Sequence, residues 1–218
     1  MTLYIVSTPT GNLQDITLRA LDVLRSVQLI ACEDTRQTRK LLARFSISAK
    51  LEPYHDKNER HKSKHLLNLL KAGLDIALVS DSGTPLLSDP GYHIVKLAAE
   101  NDIRIVPVPG ASAMLSALVC SGFSLQEFSF YGFFPKKQKS QMEIIEKIKS
   151  NKVTVLYESP HRVQRTMELL KEHIPDMQIV IARELTKVHE EFIRGRIIDV
   201  CQEISQHPLK GEIVLVIS

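Results

Sequence analysis

Long apolar runs are missing from this 218-residue sequence. None approaches the ~20 residues that span a bilayer, so a membrane-spanning chain is not expected. The N-terminal stretch MTLYIVSTPTGN lacks the basic region of a signal peptide and reads as a strand. Cysteine is scarce: Cys32, Cys120 and Cys201 are odd in number and far apart. That argues against a disulfide scaffold or a cysteine-based zinc site and fits a reducing cytosol, hence a cytoplasmic chain. Neither G-x-G-x-x-G nor G-x-x-x-x-G-K-[ST] occurs, so neither the usual dinucleotide fold nor a P-loop is supported. His61 and His65 have i, i+4 spacing but no H-E-x-x-H glutamate and no third ligand. They read as a solvent-facing pair, and no metal is expected. Repeats and low-complexity segments are absent. What is present is ordinary for a soluble globular protein: 44% hydrophobic and 24% charged residues. The net charge of +3 gives only a slight pull toward an acidic partner.

The first half alternates. Short apolar runs at 3–7, 29–32, 50–55, 75–80 and 103–108 read as strands. Between them, 15–27, 36–45, 61–73 and 92–101 read as helices; Leu18, Leu21, Leu24 and Val27 form one stripe, and Gly73 supplies a stop. Strict alternation predicts a parallel sheet covered by helices. The rhythm changes near residue 115. An apolar helix over 112–120 is followed by the aromatic run 128–134, the lysine-rich loop 135–141, and strands at 152–160, 178–185, 189–195 and 211–218. One link among the last three strands is short enough for a hairpin. The expectation is therefore two α/β domains, 1–115 with a parallel sheet and 116–218 with a mixed one.

Four loops stand out: STPTGN (7–12), CEDTR (32–36), SDSGTPLLSDPG (80–91) and VPGASA (108–113). Each follows a strand of the first sheet, at the end where open parallel sheets bind ligands. Gly and Pro let the backbone approach a ligand and expose its N–H and C=O groups. Any one such loop is more often a plain turn; four at one sheet end predict a small-molecule site.

With these loops, "FYGFFPKK" (130–137), "YESPHR" (157–162), "ARELTKVHEE" (182–191) and "GEIVLV" (211–216) complete an ordered set spanning nearly the whole chain. The set resembles the tetrapyrrole methylase superfamily; CEDTR and YESPHR resemble its ribosomal RNA branch, which methylates the 2′-hydroxyl of a cytidine in 16S rRNA of the small ribosomal subunit. The resemblance implies S-adenosylmethionine as methyl donor, bound between the two domains, and a homodimer. It places Pro9 and Thr10 at the donor's border. Gly83, Thr84 and Leu87 would lie against its methionine part or ribose, with Ser112 and Ala113 lining it. Tyr157, Ala182 and Gly211 would close it from the second domain. Family members usually continue beyond the last strand, whereas this sequence ends at Ser218; loss of such a segment would weaken RNA binding or activity. Two alternatives stay open: methylation of a tetrapyrrole (corrinoid) or another superfamily substrate, and an RNA-binding protein that has kept the fold without catalysis.

A ribose hydroxyl is a very weak acid and gains from a base or a stabilising charge. Glu33 and Asp34 in the first domain, and Glu158 and His161 in the second, are the candidates, with Asp34 or Glu158 favoured as proton acceptor. The competing structural readings are a helix N-cap for Asp34 and a strand-to-helix turn for YESPHR. Arg36, Arg39, Lys40, Lys136, Lys137 and Arg162 are candidates for RNA phosphates, although such runs are usually solvated faces.

Overall fold

Apolar runs without polar alternation become strands buried on both sides. β2 (Leu29–Cys32) and β4 (Ile76–Val79) are buried at every position, as strands sandwiched between helical layers must be. The structure, a computed structural model, describes all residues from Met1 to Ser218. The chain divides into two units, Met1–Ser112 and Ala113–Ser218.

In the first unit, β2 and β4 join β1 (Thr2–Val6), β3 (Leu51–Pro53) and β5 (Arg104–Val108) in an all-parallel sheet of order β3-β2-β4-β1-β5. α1 (Leu18–Ser26) and α2 (Thr35–Arg44) cover one face, with Leu21, Leu24 and Leu42 inward. α3 (Glu59–Lys71) and α4 (Tyr92–Glu100) cover the other, with Leu66, Leu70, Ile94 and Ala98 inward. Thr17 starts α1 by accepting the N–H of Ala20 at 3.1 Å. β1 and β4 are neighbours, yet their chains leave toward helices on opposite faces. That junction is a topological switch point, where an open sheet leaves a crevice beyond its strand ends.

In the second unit, β6 (Ser129–Phe133), β7 (Thr154–Glu158), β8 (Gln178–Arg183), β9 (Glu191–Arg196) and β10 (Ile213–Ile217) take the order β6-β7-β10-β8-β9. β6 and β7 pair in parallel and the rest antiparallel, so the sheet is mixed. α6 (Gln138–Ser150), α7 (Val163–His173) and α8 (Ile197–Gln206) bury Ile148, Leu170 and Ile204 on one face. α5 (Ala113–Val119) lies against β7 and β10, with Met114, Ala117 and Leu118 buried. The anticipated hairpin joins β8 to β9. The last strand is shorter than 211–218 because Gly211, at φ +87°, turns the chain before β10 begins.

Candidate active site

Three loops of the first unit interlock at the β1/β4 junction. Thr8 and Gly83 exchange backbone hydrogen bonds: Thr8 N–H donates to Gly83 O at 2.8 Å and Gly83 N–H to Thr8 O at 3.0 Å. The Thr8 hydroxyl donates to Ser80 O at 3.1 Å. The hydroxyls of Ser7 and Thr84 are 2.9 Å apart, and Thr84 donates to Ala111 O at 3.1 Å. The loops 7–12, 80–91 and 108–113 thus form one body. Pro9, Thr10, Gly83 and Ser112 are buried in it, whereas Thr84 and Leu87 are half-buried. Gly83 sits at φ +80°, and a Cβ there would stand 3.3 Å from Cγ2 of Thr10. Thr10 is 5% exposed, yet its hydroxyl has no hydrogen-bond partner. An orphaned buried hydroxyl costs ~1–3 kcal/mol. A ligand with a polar atom at this point removes that cost.

The acids beyond β2 and β4 differ sharply. Asp34 is the N-cap of α2: it accepts the N–H of Arg36 at 2.8 Å and a two-pronged grip from its guanidinium, the closest contact being 2.7 Å. Arg36 holds the carboxyl down at about 2. Asp34 is thus a poor proton acceptor, and Arg36 is engaged with Asp34. The two residues expected as proton acceptor and phosphate ligand are thus bonded to each other, with the Arg36 side chain still 82% exposed. The N–H of Asp34 donates to Asp81 at 3.0 Å, which joins the loop 32–36 to the loop 80–91. Burial, then the neighbouring Asp81 and Asp56, raise Glu33. Asp89 was not foreseen. Burial and then the Glu33 carboxylate push it up to about 7, partly offset by a hydrogen bond with Ser80. The Ser80 hydroxyl also lies 3.2 Å from Gly83 O, at the glycine turn. The sequence signal was the loop SDSGTPLLSDPG itself, whose aspartates were given no role.

The second unit gives its candidates structural duties. Glu158 is 2% exposed, and one carboxylate oxygen receives both the Ser159 N–H and the Arg162 guanidinium. The other accepts from the Thr166 hydroxyl at 2.6 Å. Arg162 also donates to Phe134 O at 2.8 Å. Glu158, expected as a proton acceptor, is thus enclosed by its own turn, while Arg162, expected at phosphate, keeps 27% of its side chain exposed. His161 is exposed and lines a groove of about 650 Å³ with Lys136, Arg162 and Arg165. Lys137 is exposed beside it. Tyr157 is half-buried, its ring edge-on to Phe130 at 5.0 Å and Phe133 at 5.6 Å. Ala182 is fully buried on β8. Gly211 faces Glu184: a Cβ there would fall 2.5 Å from Cγ of Glu184 and closer still to its carboxyl group. Its glycine serves that packing, since Glu184 accepts the N–H of Glu212 at 3.0 Å and Lys187 at 2.8 Å. Ala113 opens α5 and is half-buried; Arg39 and Lys40 are exposed on α2.

A two-unit α/β fold with a glycine-turned cradle at a switch point defines a ligand-binding enzyme scaffold, and comparison with known proteins narrows it. The family described as Tetrapyrrole (Corrin/Porphyrin) Methylases matches residues 2–201. A uroporphyrin-III C-methyl transferase from Thermus thermophilus, solved with S-adenyl homocysteine, shares the fold at a TM-score of 0.67 with 16% identity, over 100% of this chain and 97% of that one. Three curated relatives carry the name Ribosomal RNA small subunit methyltransferase I. That of Vibrio cholerae is 46% identical over 99% of this chain and 76% of its own length. The Hydrogenobaculum protein is 45% identical over 100% and 96%, and the Bacillus subtilis protein 44% over 99% and 74%. The chain belongs to the tetrapyrrole methylase family, in the group of ribosomal RNA small subunit methyltransferase I.

Proposed function

We propose that this chain transfers a methyl group from S-adenosylmethionine to the 2′-hydroxyl of a cytidine in 16S rRNA of the small ribosomal subunit. The single observation that carries donor binding is the orphaned, buried Thr10 hydroxyl beside the Gly83 turn. The donor's amino-acid and ribose groups are rich in polar atoms that satisfy such a hydroxyl, and the absence of a side chain at Gly83 keeps the cradle open. When bound, S-adenosylmethionine supplies a methyl already activated by a sulfonium. The protein's share is then to orient the acceptor, exclude water and take its proton.

Asp89 is the acceptor of that proton in this reading. A general base works best when its pKa lies near the working pH, and Asp89 meets that condition where Asp34 does not. With the donor held at the Thr10–Gly83 cradle, the Asp89 carboxylate would take the proton of the acceptor 2′-hydroxyl as the methyl group is transferred. The ribosomal substrate follows from the relatives' names. A homodimer belongs to the same reading: α5 buries most of its apolar side on its own sheet and leaves Leu115 and Val119 exposed as a narrow pairing strip. Light scattering at micromolar concentration is expected to report twice the chain mass, and a monomer would remove the dimer from the account. Calorimetry tests the donor: wild-type protein should bind S-adenosylmethionine with measurable heat, and silence there would refute the proposed site.

A further inference from the structure

Positive charge is gathered at the edge of the first unit that ends in β3. Residues 36–71 hold ten Lys or Arg against three Asp or Glu, a surplus of seven in a chain whose overall surplus is three. Of the three acids, Glu52 is paired with Lys62, and Glu59 accepts the N–H of Gly91 at 3.1 Å. Only Asp56 is left exposed. α3 concentrates the effect. Lys57 just ahead of it, then Arg60, His61, Lys64, His65 and Lys71, are all exposed. Their spacing of three and four residues draws one stripe along the helix. None of Lys57, Arg60, Lys64 and Lys71 forms an ion pair.

The stripe is also aimed. Glu59 in the first turn of α3 ties that end to Gly91, the close of the loop that carries Gly83 and Asp89. Tyr54, 1% exposed, fixes the same turn: its hydroxyl is 2.9 Å from that of Ser63 and donates to Glu59 at 3.4 Å. From there thirteen residues carry the helix about 20 Å away from the site. We propose that this face of α3 is an RNA-backbone track, its cations holding the phosphates that flank the acceptor nucleotide. A membrane surface fits poorly, because Leu66, Leu67 and Leu70 point into the core and the stripe has no apolar side chain to insert. The inference rests on the reading that the substrate is RNA.

The test is binding of the full chain to unmethylated 30S subunits across a salt series, with Arg60→Ala combined with Lys64→Ala. Both side chains are exposed and unpaired, so the fold survives; circular dichroism checks this. Two lost phosphate contacts should flatten the log–log salt slope by roughly 1.4, at about 0.7 each. Affinity for 30S should fall at least tenfold and KM for 30S should rise, with S-adenosylmethionine affinity unmoved. Arg60→Glu with Lys64→Glu should enlarge the loss, and Arg60→Lys with Lys64→Arg should restore it. Wild-type slope and affinity in the double-alanine chain would overturn the track while leaving the methyltransferase reading intact. Binding of the wild-type chain to anionic vesicles but not to 30S would overturn both.

Discussion

At the residue scale, one glycine and one aspartate carry the account. Gly83 is held at φ +80°, where a side chain costs ~1–2 kcal/mol of backbone strain. Gly83→Val adds bulk against Thr10 as well. Calorimetry should show donor affinity at least tenfold weaker in a chain that still unfolds cooperatively. Asp89 binds its proton more tightly in the folded chain, up to about 7, than in the unfolded chain, where an aspartate titrates near ~3.9. Stability is therefore lost as pH rises through that interval. Asp89→Asn, neutral throughout, should raise Tm at pH 8 and change it little at pH 4. The same substitution should slow single-turnover methylation by ~10²–10⁴ and remove the rise in rate through neutral pH. Asp34→Asn should leave that rise in place. Neither residue's state could be read from the sequence. The state of Asp89 depends on burial first and then on Glu33, Asp81 and Asp56, which only the folded sheet brings together, whereas the Asp34 cap is local and was open to view as one of two readings.

At the scale of elements, strands and loops were legible for separate reasons. β2 and β4 announce themselves as unbroken apolar runs, and the loops beyond them as clusters of Gly, Pro, Ser and Asp. What joins elements was not legible. Glu158 and Arg162 stand four residues apart, a spacing that many exposed pairs share; here Glu158 is buried and bonded by Thr166, while Arg162, partly exposed, also bonds Phe134 O. Removing one partner of a buried ion pair costs ~3–5 kcal/mol. Arg162→Met should accordingly lower unfolding stability by that order in urea titration, with the salt slope of RNA binding unchanged. A flattened slope at wild-type stability would return Arg162 to the RNA surface. Gly211→Ala should likewise push Glu184 out of its contacts with Lys187 and Glu212 and loosen the β8–β9 hairpin. Faster hydrogen exchange over 184–190 would report it, and unchanged protection would mean Glu184 is not needed there.

At the scale of the whole molecule, the expected pair of α/β units, one parallel and one mixed, matches the fold. The alternation of the first half and the antiparallel tail made that fold class visible in the sequence. Charge was visible as composition but not as place: a surplus of three says little until residues 36–71 fold along one edge. The central claim is methyl transfer to ribosomal RNA at the Gly83–Asp89 loop. Its most direct measurement is mass-spectrometric mapping of ribose methylation in 30S subunits from cells lacking this chain, before and after incubation with the purified protein and S-adenosylmethionine. The account predicts one new 2′-O-methylated cytidine in the 16S rRNA, absent with Asp89→Asn. An unmodified 16S rRNA, with the methyl group delivered instead to a corrinoid, would contradict it.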